Sequence, residues 1–324
     1  MQTKAQGYLL GTIAAATYGM NPLFALPLYR NGMDVDSVLF FRYLFAILII
    51  AVMLRARGRS FRIVRRDVPP LALYGVLMAL SSLTLFESYR HMAAGIASTL
   101  LFVYPLMVAG IMAVCFRERL SPATLVCMLL ALGGIALLYH GDEGATLSLT
   151  GTLLVFASAL SYAIYIVGMN RSRLHAMPTL RLTFYSLLFG LSVFGVRLLV
   201  GADAPSSDGG HALGALRLPD VWYLWGNLLA LGLFPTAISL VCTTAAIQRI
   251  GSTPTAILGA LEPVTAIVIG LAVFGETLTP RDVLGILLII VAVALVVAGS
   301  SVSHALMRLR KMFPRLPRHR APRA

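Results

Sequence analysis

Glu262 places a carboxylate in the apolar run LEPVTAIVIGLAVFGETLTP at residues 261–280, and Pro263 follows it directly. A charged group inside a span is costly and faces a bundle interior or a water-filled space. Three roles are open to it. It can bond backbone groups freed by Pro263, meet a cationic part of a bound molecule such as an amino group, or carry a proton. Proline removes a backbone donor and loosens the preceding turn, and the freed carbonyl needs a protein or water partner. The run VYPLMVAGIMAVCFRERLSP at 103–122 repeats the arrangement with Tyr104 before Pro105. Pro105 and Pro263 are candidate hinges, or static bends that widen a central space.

Other polar groups fall inside apolar runs. Tyr18, Tyr74, Tyr104, Tyr162, Tyr165 and Tyr185 lie away from the interfacial belts where tyrosine normally gathers. A ring with one hydroxyl suits a pocket that packs an apolar ligand and orients it. Asn21 with Pro22 makes a comparable polar break. Tyr74, Met78, Ser81 and Ser82 share one helix face, and Thr236, Ser239 and Thr243 another. Serine and threonine also bond between membrane helices without touching a ligand. Arg42 is expected to snorkel to the outer interface. Glu87 and Arg90 are expected to form a local ion pair, and Glu118 and Glu276 to open turns.

No G-x-x-x-x-G-K-[ST] loop exists, and Lys4 and Lys311 are the only lysines, so ATP-driven pumping by this chain is unsupported. There is no H-E-x-x-H motif, and His91, His140, His175 and His211 are scattered. No nucleophile-and-base pair can be drawn. The expectation is a non-enzyme with no cofactor and no metal. A lipid-modifying membrane enzyme, the rival from another class, needs acids or histidines clustered at one interface.

The elements that must position these groups follow from composition. The chain is 58% hydrophobic and 12% charged, with a mean hydropathy of +0.85; a soluble domain carries roughly a quarter charged residues. Ten runs approach the roughly 20 residues that cross hydrocarbon. They lie at about 8–28, 37–56, 70–90, 94–116, 122–140, 148–169, 180–200, 221–247, 252–275 and 280–299. The fold class expected is an all-α polytopic membrane protein of ten transmembrane helices. The first run is read as a span rather than a cleaved signal. Cys115, Cys127 and Cys242 fall within runs and are expected to be buried, inert thiols.

The net charge of +13 is not a nucleic-acid footprint, because the basic residues alternate between sides. Twenty of the 26 Lys and Arg fall on one set of loops and tails, five on the other, with Arg42 inside a run. The rich side marks the cytoplasm, so both termini are expected there, in the inner (plasma) membrane. The tail MRLRKMFPRLPRHRAPRA is expected to be disordered, with anionic lipid headgroups as its partners.

The two opening stretches are one motif repeated. Pro105 to Glu118 and Pro263 to Glu276 have equal spacing, and the glutamates open ERLSP and ETLTP at an offset of 158 residues. Five runs per repeat is an odd number, so the second copy enters from the opposite side. Residues 1–143 and 144–300 are the expected inverted repeats, and 301–324 the tail. Secondary transporters are built this way, with a central site exposed alternately to each side.

These residues resemble the EamA-type members of the drug/metabolite transporter superfamily. The likeness rests on the five-plus-five runs, Tyr104-Pro105 and Glu262-Pro263 midway along the fourth run of each half, and the ERLSP and ETLTP turns. It implies a central cavity enclosed by runs 1, 3, 4, 6, 8 and 9, with 5 and 10 behind them. The cavity residues it leaves as candidates are Tyr18, Asn21, Tyr74, Met78, Ser81, Ser82, Tyr104, Tyr162, Tyr165, Thr236, Ser239, Thr243 and Glu262. The expected activity is export of a small-molecule substrate, amino acids foremost and aromatic or other apolar ones among them, by a monomer. Drugs or other metabolites are the alternative on the same fold.

Overall fold

The computed structural model describes residues 2–88, 91, 97, 100–117, 122–138, 148–202, 216–274, 280, 281 and 283–295. The ERLSP turn apart from Pro122, the ETLTP turn apart from Pro280, Arg90 and the basic tail lie outside the described residues.

The helices are α1 (Gln2–Tyr18), α2 (Asn21–Arg30), α3 (Val35–Ala56), α4 (Val68–Ser88), α5 (Tyr104–Phe116), α6 (Pro122–Leu138) and α7 (Leu149–Arg171). They continue as α8 (Thr179–Ala202), α9 (Trp222–Gly232), α10 (Ser239–Ile250), α11 (Ser252–Leu258), α12 (Leu261–Phe274) and α13 (Val283–Leu295). A π-helical segment, Leu233–Ile238, joins α9 to α10. Among the described residues there is no strand.

Among the described residues, six helical segments are long and apolar enough to cross a membrane: Lys4–Arg30, Val35–Ala56, Arg65–Ser88, Leu149–Arg171, Thr179–Val200 and Trp222–Ile250. The expectation of ten spanning helices is met only this far. Among the described residues, the runs expected at 94–116, 122–140, 252–275 and 280–299 hold shorter apolar helices: Tyr104–Phe116, Pro122–Leu138, Ser252–Leu258 followed by Leu261–Phe274, and Val283–Leu295.

Local chemistry starts the long helices. The Asp34 carboxylate accepts from the Ser37 amide at 3.1 Å and caps α3. Ser148 does the same for α7 through the Gly151 amide at 3.3 Å. The α5 and α12 segments end at Phe116 and Phe274, which stand at the repeat offset of 158 residues.

The packing shows the same pairing. α7 lies on α4 as α1 lies on α10, α5 meets α7 as α12 meets α1, and α3 crosses α8 at the centre. Exchanging each helix for its counterpart in the other half returns a pairing that is present. Leu9, Leu48, Val52, Leu129, Leu153 and Leu199 are exposed although apolar. Apolar groups outside as well as inside match a lipid solvent. Trp222 and Trp225 are exposed at the start of α9, where interfacial tryptophan belongs.

Cys127 and Cys242 are buried free thiols, as expected, whereas Cys115 is exposed. It lies in the last turn of α5, where Val114 and Phe116 are exposed as well.

Candidate functional site

Three helix breaks converge. α1 ends at Tyr18, and α2 begins at Asn21 with proline in its first turn. α5 begins at Tyr104-Pro105, and α12 at Leu261-Glu262-Pro263 after a turn at Gly259 and Ala260. Pro105 and Pro263 therefore stand in first turns, where a helix leaves its amides unbonded and proline fits. Neither kinks a continuous helix, which corrects that part of the expectation.

Gly19 lies against Glu262 so closely that a Cβ there would collide with the Glu262 carbonyl oxygen and with Thr265. The break in the first half thus touches the break in the second, backbone to backbone. The Tyr104 hydroxyl donates to the Ala256 carbonyl at 3.0 Å and ties α5 to the last turn of α11. A side chain on Gly259 would strike that hydroxyl.

Glu262, in the first turn of α12, is partly buried. A carboxylate there faces the positive end of the helix dipole. Among the described residues its carboxyl has no hydrogen-bond partner, so it does not bond backbone freed by Pro263. Tyr18, Tyr104 and Tyr162 stand near it. The tyrosines form a continuous stack. Tyr104 meets Tyr162 edge-on at 5.0 Å, Tyr162 lies parallel to Tyr165 at 6.1 Å, and Tyr165 meets Tyr74 edge-on at 6.4 Å. The Asn21 side-chain oxygen is buried and unbonded among the described residues.

Arg42 overturns its expectation. It is 1% exposed rather than extended to an interface. Its Nε donates to Thr236 Oγ1 at 2.6 Å and its Nη2 to the Pro235 carbonyl at 3.4 Å. The guanidinium lies 5.7 Å from the Tyr18 ring centre and 5.8 Å from that of Phe86, within cation–π range. The π-helical segment containing Pro235 supplies the reason. It breaks the ordinary ladder, and the carbonyl it frees becomes an acceptor inside the bundle. Nη1 has no partner among the described residues. The sequence cue to this arrangement is Pro235, a further proline inside an apolar run, directly before Thr236.

Other expected cavity residues serve helix contacts. Ser81 and Ser158 hydroxyls lie 3.1 Å apart, and Ser158 donates to the Ser81 carbonyl at 2.7 Å. Ser82 lies 3.0 Å from the Tyr43 hydroxyl, which also donates to the Met78 carbonyl at 3.3 Å. Ser239 donates to the Ala14 carbonyl at 2.9 Å and joins α10 to α1. Tyr74 packs against Gly168. Tyr185 donates to the Phe61 carbonyl in the loop before α4. A pair the sequence did not disclose is Asp36 with Arg197, two parallel bonds of 2.8 and 3.1 Å between α3 and α8. Among the described residues no cluster of His, Cys, Asp or Glu could hold a metal.

The profile of the EamA-like transporter family matches the chain twice, over residues 5–140 and 149–298. The chain belongs to this family. As an EamA-like protein it is a multi-pass membrane transporter, and similar proteins are named as transporters or exporters. An uncharacterized transporter of Archaeoglobus fulgidus is 29% identical over 258 residues, 79% of this chain and 84% of its own. The threonine/homoserine exporter RhtA of Escherichia coli K12 is 28% identical over 227 residues, 69% of each chain. The uncharacterized inner membrane transporter YicL of Salmonella typhimurium is 27% identical over 91% of this chain and 96% of its own. One solved crystal structure shares the EamA-like fold with a TM-score of 0.73 at 18% identity, over 90% of this chain and 96% of that one.

Proposed function

We propose that this EamA-like transporter exports small amphipathic metabolites, amino acids foremost, from the cell across the inner membrane. The observation that carries the reading is the meeting of the interrupted helices at Gly19 and Glu262, beside the stack of Tyr104, Tyr162 and Tyr165. Discontinuous helices near the bilayer midplane are where secondary transporters bind substrate. Tyrosine faces accommodate an apolar side chain, which favours aromatic and other apolar amino acids, while Glu262 supplies charge for an amino group. The similarity to a protein named as a threonine/homoserine exporter adds support for amino acids as the class. In this reading the inverted repeats, 1–143 and 144–300, rock about the breaks, and both termini face the cytoplasm, where the basic tail meets anionic lipid.

The test is counterflow in proteoliposomes holding the purified full chain. Vesicles loaded with an unlabelled amino acid are expected to accumulate the labelled one above protein-free vesicles, for phenylalanine, leucine or threonine among a panel of twenty. Counterflow of drug-like cations alone, with no amino acid moved, overturns the substrate class.

A further inference from the structure

Two opposite charges stand near one another without pairing. Arg42 is buried with Nη1 unbonded among the described residues, and no carboxylate there lies within ion-pair distance of it. Glu262 likewise has no hydrogen-bond partner among the described residues. Tyr18 links them: its ring centre lies 5.7 Å from the guanidinium, and the residue stands near both Arg42 and Glu262. Asn21, two residues past the Gly19 contact with Glu262, holds a buried oxygen acceptor that is also unbonded among the described residues.

A buried charge left without a counter-ion is expensive unless something else supplies one. A protein needing only a stable bundle gains nothing from such a cation, since a methionine would fill the same space. Nε and Nη2 are spent on Thr236 and Pro235, which hold the guanidinium plane and leave Nη1 available. A guanidinium fixed this way is suited to a carboxylate. The Glu262 carboxyl and the Asn21 oxygen are acceptors, as an ammonium requires.

We propose that Arg42 and Glu262 form the two ends of a zwitterion clamp, in which Arg42 takes the α-carboxylate of the substrate and Glu262, with Asn21, takes its α-ammonium. Tyr18 lies between the two ends, and the substrate side chain lies along Tyr104 and Tyr162. This rests on the amino-acid reading given above and narrows it: the class is free α-amino acids, as opposed to amines, amides or simple carboxylates.

The experiment measures equilibrium binding to the purified full chain by calorimetry. The probes are L-phenylalanine and L-threonine, the amide of each, and the deaminated acid of each. The wild-type protein is expected to bind the free amino acid about tenfold to a hundredfold more tightly than either analogue, the range for one lost charge-assisted contact. Arg42→Gln is expected to abolish the preference over the amide and keep the preference over the deaminated acid. Glu262→Gln is expected to do the reverse. Arg42→Lys, which keeps the charge, is expected to retain part of the carboxylate preference. If amino acid, amide and deaminated acid bind the wild type equally, the clamp is wrong while amino-acid transport stands. If no amino acid binds or is transported, both readings fall. The wild-type comparison needs no variant, so a misfolded mutant does not shield the proposal.

Discussion

Arg42 Nε donates to Thr236 Oγ1 across 2.6 Å, and that hydroxyl donates onward to the Leu231 carbonyl at 2.8 Å. One hydroxyl of the π-helical segment therefore serves α3 and the end of α9 together. Thr236→Val keeps the shape and removes both bonds, leaving a buried guanidinium short of an acceptor. The expected loss of stability is about 1–3 kcal/mol, read as a lowered midpoint in thermal unfolding of the detergent-solubilised protein. Thr236→Ser, which keeps the oxygen, is expected to stay much closer to wild type.

Gly19 and Glu262 set a steric prediction. Gly19→Ala drives a methyl into the Glu262 carbonyl and Thr265, and overpacking of this kind costs about 1–3 kcal/mol. Gly110→Ala meets nothing within 4 Å and is expected to fall within about 1 kcal/mol of wild type. Thermal unfolding and counterflow are both expected to separate the two variants. Equal behaviour would contradict the close approach of α1 to α12.

Glu262→Gln is expected to separate folding from transport. The carboxyl has no hydrogen-bond partner among the described residues, so the stability at stake is its helix-dipole interaction, about 0.3–1 kcal/mol. Substrate flux in vesicles is expected to fall by a larger factor than that change implies. A variant that loses its fold along with its flux would make Glu262 a structural residue.

Asp36 and Arg197 make an asymmetric pair, because Asp36 is buried while about a third of the Arg197 side chain is exposed. Arg197→Ala leaves a buried carboxylate without its cation, whereas Asp36→Ala leaves an arginine that can reach water. The first is expected to destabilise more than the second, by about 1–2 kcal/mol after allowing for solvent screening. Unfolding of both single variants and the double variant measures it.

Ser158→Ala removes the bonds to Ser81 between α7 and α4. The expected loss is about 0.6 kcal/mol, with substrate affinity unchanged. A large affinity change would return Ser81 to the binding surface.

Features that neighbours along the chain decide are legible in the sequence. The length of an apolar run and the missing amide of Pro105 or Pro263 act on the same few residues, so the membrane class, the repeated break and the end of α5 relative to α12 were legible. The setting of Arg42 is not legible, because its position near one end of a run says nothing about what faces it. Only the tertiary structure brings Thr236 and the Pro235 carbonyl to it, from nearly two hundred residues away. The same holds for Asp36 with Arg197 and for the serines. A hydroxyl on a helix face can bond a neighbour or a ligand, and the rotation and proximity of the opposing helix decide which.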